Sequence, residues 1–113
     1  MPFIHVSLTK KVTDDKKRKL AEGIGKIVEI LPGKNFQKVM VRIDDGCEIY
    51  RGGETAECVY TQTAMKKSNS LEEQKEYIEK LYQFYKDELD LDIPQCYFSM
   101  LELNSWGSRG TLK

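Results

Sequence analysis

Proline directly follows the initiator methionine in this 113-residue chain. Methionine before a small residue is normally trimmed, so the expected mature terminus is the secondary amine of Pro2. An unperturbed α-amino group titrates at about 7.7 to 8.0, and partial burial beside a cation lowers that value. The result is a neutral amine near pH 7, which is a general base. By itself the Met1-Pro2 dipeptide is mostly a processing signal. Other chemistries lack their parts. Pro32-Gly33-Lys34-Asn35 has neither the preceding glycine nor the Ser/Thr of a phosphate-binding loop. One histidine, His5, leaves no plausible Ser-His-Asp set. Cys47, Cys58 and Cys96 are odd in number, widely spaced and without a Cys-x-x-Cys pair, and with His5 they do not complete a four-ligand zinc set. No metal is therefore expected, and the thiols are taken as small buried hydrophobes. Arg51-Gly52-Gly53 is an isolated glycine turn.

The elements that must position these groups follow from periodicity. In residues 2–8, Pro2, Ile4, Val6 and Leu8 share one face and Phe3, His5 and Ser7 the other, which is a strand. Thr13 with Asp14 and Asp15 supplies an N-cap, and Leu20, Ile24, Ile27, Val28 and Leu31 follow at helical spacing. Pro32-Gly33 stops the pattern, so a helix is expected over 14–31. Gly23 and Gly25 weaken it by up to about 1 kcal/mol each relative to Ala, which suggests close packing against a sheet. Val39, Val41 and Ile43 alternate with Lys38, Met40 and Arg42 in a second strand ending at Asp44-Asp45-Gly46, and 48–51 is a candidate short strand. The second half repeats the order: a strand over 57–65, a capping box of Ser70 and Glu73, a helical stripe of Ile78, Leu81, Tyr82, Tyr85 and Leu89, a stop at Pro94, and a last strand Cys96–Leu103. Each half, about 1–53 and 54–113, has the length of one βαβ unit in a single domain.

Composition narrows the function classes. Eighteen Lys plus Arg balance 18 Asp plus Glu, so no cationic excess favours a nucleic-acid role. The basic run at 16–19 is a solvated helix face, because the buried stripe begins at Leu20. No apolar run is long enough to span a membrane, and the opening residues lack the regions of a secretory signal. The expected compartment is the cytoplasm.

Met1-Pro2-Phe3-Ile4 entering a strand, Gly33-Lys34 after the first helix, Gly52-Gly53 followed by Cys58, Tyr97 in the last strand and Trp106-Gly107 near the end together resemble the tautomerase superfamily. The chain is most similar to its branch of macrophage migration inhibitory factor and dopachrome tautomerase, over essentially the whole length. The resemblance implies an α+β fold, with two βαβ units forming a four-stranded mixed sheet and two helices on one face. It also implies a homotrimer with sites at subunit boundaries. Pro2 then matches the catalytic base of keto–enol interconversion, without metal or organic cofactor, on a small keto acid or enol such as a phenylpyruvate-like compound. Lys34 matches the lysine that binds a substrate carboxylate or enolate oxygen. Such a cation suits the task physically, since it keeps a nearby amine deprotonated and offsets charge on the enolate.

By the same resemblance Tyr97 enters the pocket from a neighbouring subunit, Met65 and Lys66 fall where backbone N–H groups contact substrate, and Phe3, Tyr97 and Phe36 or Trp106 form an aromatic rim. Ser99, on the strand face of Tyr97, stands where mammalian-type members carry asparagine. Thr61 replaces the second cysteine of their Cys-x-x-Cys pair, so a thiol-oxidoreductase role does not carry over. Two alternatives stand beside tautomerisation: a decarboxylase or hydratase pairing the proline with Arg42 or Arg51, and a non-catalytic trimeric interaction protein.

Overall fold

In the computed structural model, which describes residues 2–113, β1 (Phe3–Leu8) keeps the alternation of its sequence. Ile4, Val6 and Leu8 are fully buried, while Phe3, His5 and Ser7 face the other side. Each fully buried aliphatic side chain of this kind contributes about 1.5 to 3 kcal/mol relative to exposure. Helix α1 (Asp14–Ile27) starts on Thr13, whose side chain accepts from Lys16 N–H, and buries Leu20 and Ile24. The expected helix over 14–31 ends earlier as α-helix. A 3₁₀ turn, Val28–Ile30, follows, and Leu31 is extended at φ −78, ψ 113. Pro32 explains the change, since its ring disfavours helical geometry at the residue before it.

After β2 (Met40–Asp44), β3 (Tyr50–Arg51) and β4 (Glu54–Thr55) make a separate hairpin around Gly52-Gly53, both at positive φ. The short strand anticipated over 48–51 is therefore real but stands outside the main sheet. β5 (Val59–Lys66) begins two residues later than expected, because Cys58 N–H donates to the Thr9 hydroxyl instead of entering the ladder. Helix α2 (Leu71–Leu89) opens with the anticipated capping box of Ser70 and Glu73. β6 (Cys96–Leu103) has its expected bounds. A final hairpin of β7 (Gly107–Ser108) and β8 (Thr111–Leu112) was not anticipated.

The main sheet has the order β2-β1-β5-β6. β1–β2 and β5–β6 are parallel, as a helical crossover requires, and β1–β5 at the centre is antiparallel. Both helices cover one face. Leu20, Ile24 and Val28 from the first half and Tyr77, Leu81 and Tyr85 from α2 join Ile4, Val6, Leu8, Val59 and Met65 in one core. This is the expected α+β arrangement of four mixed strands with two helices on one side.

Two buried hydroxyl pairs cross that core. Thr61 Oγ1 lies 2.5 Å from Tyr85 Oη, and Thr63 Oγ1 lies 2.7 Å from Tyr77 Oη. They satisfy polar atoms that would otherwise destabilise the interior. Gly23 does pack closely, but against the second helix instead of the sheet: a Cβ there would lie 2.3 Å from the Phe84 ring. Among the described residues no helix is long and apolar enough to cross a membrane.

Candidate functional site

Register places Pro2 between two strands. Phe3 pairs with Met40 on one side and Ala64 on the other, so the buried Pro2 lies next to Val39 and Met65, and its carbonyl accepts from Met40 N–H at 3.1 Å. One position further along the flanking segments stand Lys38 and Lys66. Both line a cavity of about 260 Å³ whose other walls include Trp106, Ser108, Arg109 and Lys113. The C-terminal hairpin supplies this second wall. Trp106 and Lys113 exchange backbone hydrogen bonds at 2.7 and 3.0 Å, and Arg109-Gly110 makes the two-residue turn with φ of 52 and 77. Both turn residues must then be left-handed. For Arg109, which has a Cβ, that conformation costs about 1 to 2 kcal/mol.

Lys34 belongs to the same end of the sheet. Pro32 and Gly33, at φ 84, form the turn that ends the first helix, and Lys34 N–H closes it on the Leu31 carbonyl at 3.0 Å. The Lys34 Nζ donates to Ser68 Oγ at 2.9 Å, and Ser68 Oγ donates to the Lys66 carbonyl at 3.4 Å. Lys34 is thus tied to the chain just beyond Met65. Partial burial removes solvent from the ammonium and lowers its pKa below the usual lysine value. Asn69 ties the two loops again by donating to the Pro32 carbonyl at 3.0 Å, and its own carbonyl accepts from Gln74 Nε2 at 3.1 Å.

Met65 turns its side chain fully into the core, which leaves only its backbone for a ligand. Phe3 lies on the open sheet face, its ring stacked 6.4 Å from His5. Arg42 is engaged there: its Nε lies 3.2 Å from Asp44 Oδ2, and the same oxygen lies 2.6 Å from His5 Nε2. The His5 hydrogen bond, followed by the charge of Arg42, lowers the pKa of Asp44.

Tyr97 and Ser99 do not meet Pro2 within one chain. Tyr97 pairs with Tyr60, which pairs with Ser7, five positions along β1 from Pro2. At about 3.3 Å per residue that is roughly 16 Å. Tyr97 instead belongs to a second, mainly apolar cleft of about 560 Å³ with Tyr50, Cys58 and Tyr60. Arg51 Nη1 donates to Tyr97 Oη at 2.5 Å and to the Pro94 carbonyl at 3.2 Å. Ser99 Oγ accepts from Tyr60 Oη at 2.8 Å. Burial raises the pKa of the Cys58 thiol in this cleft, which disfavours the thiolate. Sequence reasoning did not single out Ser68, Lys38, Arg109 or Lys113 for the site. The X-Gly turn at Arg109-Gly110 was the one local signal that a hairpin, and with it this wall, would form.

No protein-family model matches the chain, and no curated protein matches it in sequence. Solved structures do match. Leishmania major MIF2 shares 21% identity at a TM-score of 0.88, covering 100% of this chain and 97% of that one. The macrophage migration inhibitory factor-like protein of Entamoeba histolytica shares 16% at 0.84, covering 99% and 98%. A fused 4-OT that forms an asymmetric trimer shares 16% at 0.85, covering 96% and 94%. At these identities the likeness is one of fold: the chain has the fold of the macrophage migration inhibitory factor homologues and of 4-OT.

Proposed function

We propose that the protein is a cofactor-independent keto–enol tautomerase with Pro2 as its base, acting on a small keto acid or enol of the phenylpyruvate kind. The observation that carries this reading is the position of Pro2, seated between two strands with Lys34 tied to the adjoining loop by Ser68. The fold shared with macrophage migration inhibitory factor homologues and 4-OT supports it. The reading requires that Met1 be removed; Met1 lies outside the described residues. In the mechanism, the neutral Pro2 nitrogen takes the proton alpha to the carbonyl, the electron pair moves to the carbonyl oxygen, and the protonated proline delivers the proton to the enolate oxygen. In the reverse direction it protonates the carbon. Lys34 offsets the charge that develops on oxygen. Trp106 offers a flat apolar wall.

A homotrimer belongs to the same proposal. Tyr97 and Ser99, too far from Pro2 in their own chain, would serve the Pro2 of a neighbouring protomer. The arginine-dependent alternative rests on Arg51, which would accompany Tyr97 through their hydrogen bond; Arg42 is already paired with Asp44.

The test is direct. Mass spectrometry of the purified protein should show a chain that begins at Pro2, and enol–keto conversion of phenylpyruvate should be followed on that material. Pro2→Gly should lower kcat/KM by about 10² to 10⁴, the usual worth of a positioned base. If conversion is unchanged in both Pro2→Gly and Lys34→Ala, the catalytic assignment is wrong.

A further inference from the structure

We infer that the cavity beside Pro2 holds a phosphate group carried by a small flat substrate. This deepens the tautomerase reading and rests on it for the reacting end of the molecule. Four residues with cationic side chains, Lys38, Lys66, Arg109 and Lys113, line a space of only about 260 Å³. Among the described residues none of them has a carboxylate within 4.0 Å. Of the other cations, Lys10, Lys16, Lys17, Arg18, Lys19, Lys26, Arg42, Lys75 and Lys86 have acidic partners, whereas among the described residues Lys11, Lys34, Arg51, Lys67 and Lys80 have none within 4.0 Å but do not share one cavity. In a chain whose formal charges cancel, four cations around one small space without a carboxylate partner repel one another and favour an anion there.

The charge count selects the anion. A single carboxylate offsets one of the four charges, whereas a phosphate monoester carries about 1.5 to 2 negative charges and three strong acceptor oxygens. Ser108 and Thr111 add hydroxyls to the same wall, and arginine with lysine is the usual cationic set for phosphate. The fold places these cations deliberately far apart in sequence. Lys38 and Lys66 come from the segments on either side of Pro2, and Arg109 sits at a turn position where its backbone must be left-handed. At about 260 Å³ the cavity matches one small group more closely than a drug-sized ligand, for which about 300 to 1,000 Å³ is usual. Trp106 on the wall gives an aromatic body a surface to lie against, while Pro2, which the strand register sets one position from Lys38 and Lys66, takes the enol or keto-acid end.

Trp106 is the only tryptophan in the chain, so its fluorescence reports on this cavity without any turnover. The experiment titrates phenyl phosphate, inorganic phosphate and benzoate into the full chain at constant ionic strength. Phenyl phosphate should bind at least about tenfold more tightly than either of the others. That preference should fall by about tenfold or more in Lys66→Gln and in Arg109→Asn. Asparagine accepts the left-handed turn, so Arg109→Asn should keep or raise thermal stability while losing phosphate. Equal affinities for phenyl phosphate and benzoate, or a preference that survives both substitutions, overturns the inference. Inorganic phosphate binding as tightly as phenyl phosphate overturns the assignment to a substrate and leaves an adventitious ion only. Phenylpyruvate turnover and its loss in Pro2→Gly are measured separately. Turnover without a phosphate preference sinks this inference and spares the tautomerase reading. A phosphate preference in a protein whose turnover ignores Pro2→Gly supports the cavity's ligand chemistry and sinks that reading instead.

Discussion

At the scale of single residues, the proposed chemistry depends on a cation without a counterion. Lys34 is held by a hydroxyl and only partly desolvated, so its charge is available to an incoming oxygen. Lys34→Ala should reduce kcat/KM for phenylpyruvate by about 10² to 10³, the cost of removing one electrostatic donor from an enolate, with little change in thermal stability. The opposite balance holds for the core tyrosines. Tyr85→Phe strands the Thr61 hydroxyl in the interior and should cost about 1 to 3 kcal/mol in urea unfolding. Burial pushes the Tyr77 phenol up to about 12, against about 10 in an unfolded chain. Between pH 10 and 12 the unfolded state therefore loses this proton before the folded state does, and stability falls as pH rises; below pH 10 the contribution is complete. By pH 12 the loss from Tyr77 should reach about 2 to 3 kcal/mol, and urea midpoints of Tyr77→Phe should not show that component.

Among the elements, the first helix illustrates how packing overrides propensity. Gly23→Ala improves intrinsic helicity by about 1 kcal/mol, yet the new methyl would meet the Phe84 ring at 2.3 Å. Overpacking of this kind typically costs about 1 to 3 kcal/mol, so the variant should melt at a lower temperature than the parent. Pairing it with Phe84→Leu, which opens the contact, should recover part of the loss. The glycine itself was visible in sequence as a weak point of a helix. Its partner was not, because Phe84 is 61 residues away and only the docking of α1 on α2 brings the ring to it. The short hairpins show the same limit. Gly52-Gly53 marked a turn, but whether the flanking residues joined the main sheet depended on which edge they met.

For the whole molecule, one sheet face is covered by helices and the other leaves Met40, Tyr97, Leu101 and Leu103 substantially exposed. That apolar face, with the separation of Tyr97 from Pro2, is what the proposed homotrimer explains. Sedimentation equilibrium should give a mass three times the 13.1 kDa of the chain, and Leu101→Glu should weaken the assembly and depress phenylpyruvate turnover together. A single-chain mass at working concentrations would remove Tyr97 and Ser99 from the site.

What the sequence determined alone is the set of local choices: the buried alternation of Ile4, Val6 and Leu8, the caps at Thr13 and Ser70, the stop at Pro32, and the strand, helix, strand order of each half. These depend on neighbours within a few residues, where periodicity and capping act. The resemblance added Pro2 and Lys34 as partners. Only the tertiary structure decided that Lys38, Lys66, Trp106 and Arg109 surround one small space, and that Tyr97 stands at the far end of the sheet from Pro2. The physical reason is register: a parallel pairing on one side of β1 and an antiparallel pairing on the other set which distant residues become neighbours. That alignment is chosen by the shared core, which no local pattern encodes.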